Sequence, residues 1–179
     1  MEVQLNTQVS VCNNTKEKVL FRQQIHTVEK GFQEMIQKGE AKDALPDCTL
    51  THHFSPVVPE YGCCTYAREM FLPKGTLIIG KIHKHQHLNF IMQGKVSVST
   101  EFGKKTIIAP SIFVSEVGLK RAVYAEEDTI WTTVHLTKHD KEEKLNDIEK
   151  EVISETYKEL GLISNIEELK HLNIEGETA

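Results

Sequence analysis

A chain of 179 residues, 39% apolar and 26% charged, is long enough to bury one core without disulfides or a structural metal, and its composition is that of an ordinary globular protein. A formal net charge of −5 argues against nucleic acid as the main partner, since a grip on phosphates needs clustered Lys and Arg. No run approaches the roughly 18 consecutive apolar residues of a membrane span, and the opening MEVQLNTQVS lacks the basic and apolar regions of a signal peptide, so no membrane partner and a cytoplasmic location are expected.

From Lys18 to Lys38 the apolar residues Val19, Leu20, Ile25, Val28, Phe32, Met35 and Ile36 recur at three- and four-residue steps, with Gly39 placed to stop the run. This spacing predicts an amphipathic helix packed on the outside of the main body. Ala41 to Gly62, with Pro46, Pro56, Pro59 and Gly62, reads as a lead-in loop with room for short extended pieces.

From Cys63 to Thr137 the texture changes to short runs of Val, Ile, Thr, Phe and Tyr broken by glycine and proline. Strands are expected at Thr65–Leu72, Leu77–His83, Asn89–Gln93, Lys95–Thr100, Lys104–Ala109, Ile112–Val114, Lys120–Ala125 and Thr129–Leu136. Such a series suggests a mainly β fold of the jelly-roll or barrel kind. Glu101-Phe102-Gly103-Lys104 offers a tight hairpin between two alternating strands.

Beyond the strands, Asp140 with Glu143 resembles a capping box. Leu145, Ile148, Val152, Ile153, Tyr157 and Leu160 form a second amphipathic stripe ending at Gly161, and Ser164 with Glu167 suggests a short helix through His171. The expected division is therefore 1–62 for the N-terminal helix and lead-in, 63–137 for the β core and 138–179 for a helical extension. Cys12, Cys48, Cys63 and Cys64 show no CxxC spacing, and all four are expected to be reduced thiols.

Two stretches carry a resemblance. Gly75-x5-Lys81-x-His83-x3-His87-x6-Gly94 follows the spacing of the first cupin signature, G-x5-H-x-H-x3-E-x6-G, and Pro110-x5-Glu116-x-Gly118-x2-Arg121-x3-Ala125 follows that of the second, G-x5-P-x-G-x2-H-x3-N. The chain thus resembles the cupin superfamily over about Tyr66 to Leu136, and within it small cupin-like proteins encoded by bacteriophages. The resemblance implies a single RmlC-like jelly-roll barrel flanked by the two helical segments, and a homodimer. A phage origin would place the protein in the host cytoplasm.

The departures from the signature bear on chemistry. Cupin metal ligands occupy four positions, where this sequence offers Lys81, His83, His87 and Arg121. Ammonium and guanidinium groups repel a divalent ion, so two potential ligands remain. On the last strand, Trp131, Thr133 and His135 share one face by period-two alternation, and His135 is placed to complete a set of three imidazoles. Such a set suits Zn, Fe(II), Ni or Cu. In a straight strand His83 and His87 would stand roughly 13 Å apart at about 3.3 Å per residue, so sharing one ion requires a turn between them. His85 is then expected to face solvent or support the ligands from behind. His26, His52, His53, His139 and His171 are expected at the surface or at caps, with the mouth of the barrel as the alternative place for the pair His52-His53.

Three functions follow from these residues. One is a metal-dependent enzyme acting on a small molecule, with Zn, Fe or Ni on His83, His87 and His135, and with Arg68, Asn89 and Gln93 orienting substrate. Another is a metal-free pocket in which Lys81, Arg121, Lys120 and Arg68 bind a carboxylate, a sugar phosphate or a nucleotide, either simply holding it or, with His83 or His87 as acid or base, isomerising it. The last is a non-catalytic structural or partner-binding barrel.

Overall fold

The computed structural model describes residues 14–176, with side chains as far as His171. Cys12 lies outside the described residues. In chain order the elements are α1 (Lys16–Gln37), β1 (Thr49–Phe54), β2 (Cys64–Leu72), β3 (Leu77–Ile79), β4 (Ile82–His83), β5 (His87–Gln93), β6 (Lys95–Thr100), β7 (Gly103–Ile108), β8 (Ser111–Ser115), β9 (Ala122–Ala125), β10 (Thr129–Thr137), α2 (Leu145–Val152), β11 (Ile153–Ser154) and α3 (Ile166–Gly176). No helix is long and apolar enough to cross a membrane among the described residues.

The fold is mainly β, and its strand pairs are antiparallel. A five-stranded sheet runs β1-β2-β10-β5-β8, a four-stranded sheet runs β3-β9-β6-β7, and β11 pairs with β4. Alternation along each strand decides which residues meet between the sheets. Leu72, Ile91 and Trp131 from the first sheet close on Val96, Val98, Ile107, Val123 and Ala125 from the second, forming one buried cluster. The same alternation turns Tyr66, Arg68 and Met70 of β2, His87 and Asn89 of β5, and Thr133 and His135 of β10 toward one cavity.

Two signature glycines hold the corners of this arrangement. Gly94 adopts φ +87°, and a Cβ there would lie 2.3 Å from the Asp128 carbonyl oxygen, so no side chain fits between β5 and β6. Gly118 adopts φ +76°, and its missing Cβ leaves room for Leu162, whose Cδ1 would otherwise stand 2.2 Å away.

The expected strands are found with small shifts at their ends, and three local readings are corrected. Leu77–His83 splits into β3 and β4 around Gly80 and Lys81. Within the lead-in, Thr49–Phe54 is a full strand on the edge of the larger sheet, paired with β2 from Thr49 opposite Phe71 to Phe54 opposite Tyr66. The second helix stops at Val152, because Ile153 and Ser154 leave it to pair with His83 and Ile82, and Tyr157–Leu160 forms only a 3-10 turn before Gly161.

The ends of the second helix and the face of the first also differ from expectation. No side chain caps the turn that leads into α2, so Asp140 does not form the expected box. On α1 the buried residues are Val19, Arg22 and Ile25, while Leu20, Val28, Met35 and Ile36 of the apolar stripe stay exposed. Charge does much of the anchoring. Arg22 gives two hydrogen bonds to the Glu101 carboxylate at the β6–β7 turn, 2.7 and 2.9 Å long, and its guanidinium lies over the Tyr157 ring. Lys120 reaches Glu29 of the same helix at 2.5 Å.

Candidate metal centre and its cavity

The turn that the ligand spacing requires is present. Between β4 and β5 the backbone bends at Lys84 and His85, bringing His83 and His87 together from the ends of two short strands. Their ring centroids are 4.1 Å apart. His135 arrives from β10, where Val134 pairs with Leu88 and so sets His135 beside His87, at 4.6 Å between centroids. It stacks on His83 with an interplanar angle of 4°. One nitrogen from each ring lies within 4.8 Å of the others, and all three residues are buried.

One hydrogen bond fixes the tautomer of the His87 ring. His87 Nδ1 donates to the His85 carbonyl at 3.2 Å, which leaves Nε2 unprotonated. That Nε2 is buried without a partner, as is His83 Nδ1. Burial is the main cause of low basicity in all three rings: His83 falls to about 2, His135 to about 3 and His87 to about 4. Neighbouring imidazoles add to the depression of His83 and His135, and the positive charges of Arg121 and Arg68 add to that of His83 and His87. At neutral pH the cluster therefore consists of uncharged imidazoles. Buried nitrogens that lack partners are uncommon in folded proteins, and an all-imidazole set suits a divalent transition ion better than calcium or magnesium.

A second network lies one cross-strand row deeper. Asn89, fully buried at 0% exposure, accepts hydrogen bonds at Oδ1 from Trp131 Nε1 at 2.9 Å and Arg121 Nη1 at 3.3 Å. Its amide donates to Ser115 Oγ at 2.7 Å and to the His87 carbonyl at 3.3 Å. Arg121 Nη2 also donates to Ser115 Oγ, and the guanidinium carbon sits 5.4 Å from the Trp131 ring centroid. Burial lowers Arg121 to about 10. The guanidinium faces no carboxylate among the described residues.

Both networks open on one cavity of about 420 Å³, within the usual size range for small-molecule sites. Of the residues singled out from the sequence, Arg68, Lys81, His83, His87, Asn89, Arg121 and His135 all line it. Lys81 stands at an exposed position and is paired with Glu149 of α2. Gln93 is exposed at the end of β5 and Lys120 is engaged by Glu29; neither lines the cavity. His85 exposes its side chain and contributes only its carbonyl.

His52 corrects the surface reading, for it lines the cavity and shares a 2.7 Å hydrogen bond with Tyr66. Tyr66 in turn stacks on His135. Sequence reasoning also passed over Ser115 and Glu149. Ser115 falls one residue beyond the expected strand Ile112–Val114, and its place opposite His87 follows only from the pairing of β5 with β8. Cys48, Cys63 and Cys64 are free thiols and are not part of the cavity.

No family model and no curated protein matches the chain. Among solved structures, part of the chain is similar to KdgF from a Halomonas species, at 17% identity over 52% of this chain and 94% of that one with a TM-score of 0.38. An RmlC-like cupin from Shewanella frigidimarina is matched at 12% identity over 48% and 84%, TM-score 0.37. Ectoine synthase from P. lautus is matched at 12% identity over 57% and 72%, TM-score 0.43. These likenesses cover about half of the chain, and nothing about its chemistry follows from them.

Proposed function

We propose that the protein is a cupin-type jelly roll whose cavity holds one divalent transition metal, Zn, Fe or Ni, on His83, His87 and His135, and acts there on a small molecule. The observation that carries this reading is the convergence of three uncharged, buried imidazoles, each offering a nitrogen within 4.8 Å of the others, together with two buried ring nitrogens, His83 Nδ1 and His87 Nε2, that have no hydrogen-bond partner. The signature spacing supports the cupin assignment, because His83 and His87 fall on two of its ligand positions. The third imidazole comes from the last long strand, while the signature's remaining ligand position is filled by Arg121.

Bound there, such an ion would supply Lewis acidity and lower the pKa of a coordinated water. The chain's own residues do the rest. The His85 carbonyl holds His87 in one tautomer, Tyr66 and His83 hold the His135 ring between them by stacking, and pairing of β11 with β4 steadies His83 from behind. Leu72, Met70, Ile78, Val123 and Trp131 make one wall of the cavity apolar, which limits the water that reaches the site. A metal-free isomerase built on Lys81 and Arg121 has less support, since Glu149 already neutralises the Lys81 ammonium at an exposed position.

The reading is tested by elemental analysis of protein purified without a polyhistidine tag. Close to one equivalent of Zn, Fe or Ni per chain is expected, falling below a tenth in His83→Ala/His87→Ala. Absence of metal from the unaltered protein, even after incubation with each ion, would remove the reading.

A further inference from the structure

We propose that the cavity selects a small organic monocarboxylate with an apolar body, its carboxylate held by Arg121 and its other end turned toward the three histidines. The inference rests on the cavity being a ligand site, as above, and goes further in naming the class of ligand.

Charge on the cavity wall is unbalanced. Arg121 is 8% exposed, and its two hydrogen bonds go to uncharged acceptors, Asn89 and Ser115. Its remaining N–H groups have no protein acceptor among the described residues. A buried cation without a counter-charge destabilises a fold unless something compensates it. Arg68, also on the cavity wall, likewise has no acidic partner among the described residues. The one carboxylate of the wall, Glu149, is committed to Lys81. Two positive charges therefore face the cavity with no anion from the described residues.

Position supports the same conclusion. Arg68, Thr133 and Asn89 lie side by side in one cross-strand row of β2, β10 and β5, adjacent to the row that carries His135 and His87. The Thr133 hydroxyl in that row is buried without a partner. Trp131 and Asn89 clamp the Arg121 head from two sides, so its fork is held ready for a planar acceptor. A carboxylate matches that fork with two parallel hydrogen bonds.

The apolar wall decides between anions. Met70, Leu72, Ile78, Val123 and Trp131 line the cavity and belong to one apolar cluster, with Arg121 lying over its Trp131, and they offer nothing to the hydroxyls of a sugar phosphate. A hydrocarbon or alicyclic body fills that wall without stranding polar groups.

Trp131 is the chain's single tryptophan, so its fluorescence reports directly on occupancy beside Arg121. Tag-free protein is titrated with cyclohexanecarboxylate, its uncharged amide and ribose 5-phosphate, following Trp131 emission and melting temperature. The acid is expected to bind saturably, at least tenfold tighter than either competitor. Arg121→Met is expected to abolish that preference while raising the melting temperature of the ligand-free protein, and Arg121→Lys to weaken the acid at least fivefold.

Equal affinity for acid and amide, tighter binding of ribose 5-phosphate, no binding of the acid, or an unchanged preference in either Arg121 variant would each overturn the proposal. In His83→Ala/His87→Ala the preference for acid over amide is expected to persist. The carboxylate site therefore stands or falls separately from the metal.

Discussion

His87 on β5 and His135 on β10 sit side by side across two hydrogen-bonded strands, their rings 4.6 Å apart, although 48 residues separate them in the chain. The pairing of Val134 with Leu88 fixes that proximity, so the sheet itself sets the spacing of this part of the site.

The first prediction concerns His135, which no signature position marks. His135→Ala is expected to lower metal affinity by more than the roughly 10–100-fold typical of changes to residues that merely support a ligand. Because the imidazole is neutral, its loss is expected to shift the melting temperature of the metal-free protein by no more than about 6 °C, equivalent to roughly 2 kcal/mol at this chain length. Competition against a chromophoric chelator measures the first quantity and a thermal melt the second. Wild-type metal affinity in the variant would exclude His135 from the site.

Acid should weaken the metal-free fold through the same cluster. The folded-state values of His83, His135 and His87, about 2, 3 and 4, lie below the ordinary 6.5, so the unfolded chain binds more protons as pH falls below 6.5. Stability is therefore full above that value and declines from 6.5 toward 4. The limiting slope is about 1.4 kcal/mol per pH unit for each histidine. Urea melts of apoprotein between pH 7.5 and 4.5 should show the decline, and His83→Gln/His87→Gln should flatten it. A slope unchanged by that double substitution would place the acid sensitivity elsewhere.

Asn89 holds four neighbours at once: Trp131, Arg121, Ser115 and the His87 carbonyl. Asn89→Leu removes the acceptor used by Trp131 and Arg121 and the donor used by Ser115, and is expected to cost about 2–4 kcal/mol. Denaturant unfolding measures the loss, and a shift in Trp131 emission should accompany it. A variant as stable as wild type would show that the network contributes little to the fold.

Much of this architecture is legible in the sequence because alternation is a local signal. Val96 and Val98 of β6 announce their strand without help from the rest of the chain. Glycine spacing placed Gly94 and Gly118 at corners where the structure leaves no room for a Cβ. The chain's pairing partners are not local, and the readings that failed depend on them. Thr49–Phe54 is polar and mostly exposed, and it is a strand because β2 offers an edge. Ile153 continues the apolar stripe of α2 perfectly well, yet its backbone is drawn into pairing with His83.

At the site, His83 and His87 could be read from spacing and His135 from the face it shares with Trp131 and Thr133. The supporting roles of Ser115, His52 and Glu149 could not, since each depends on which strand or helix lies beside which. Arg121 was legible as a departure from the signature, but its isolation from every carboxylate among the described residues is a property of the folded cavity.

The most direct test of the account is an anomalous diffraction map from crystals of tag-free protein loaded with Zn, Fe or Ni. A single peak is expected with nitrogens of His83, His87 and His135 at about 2.0–2.2 Å. A map with no peak among the three rings, or with the ion bound by other side chains, would contradict it.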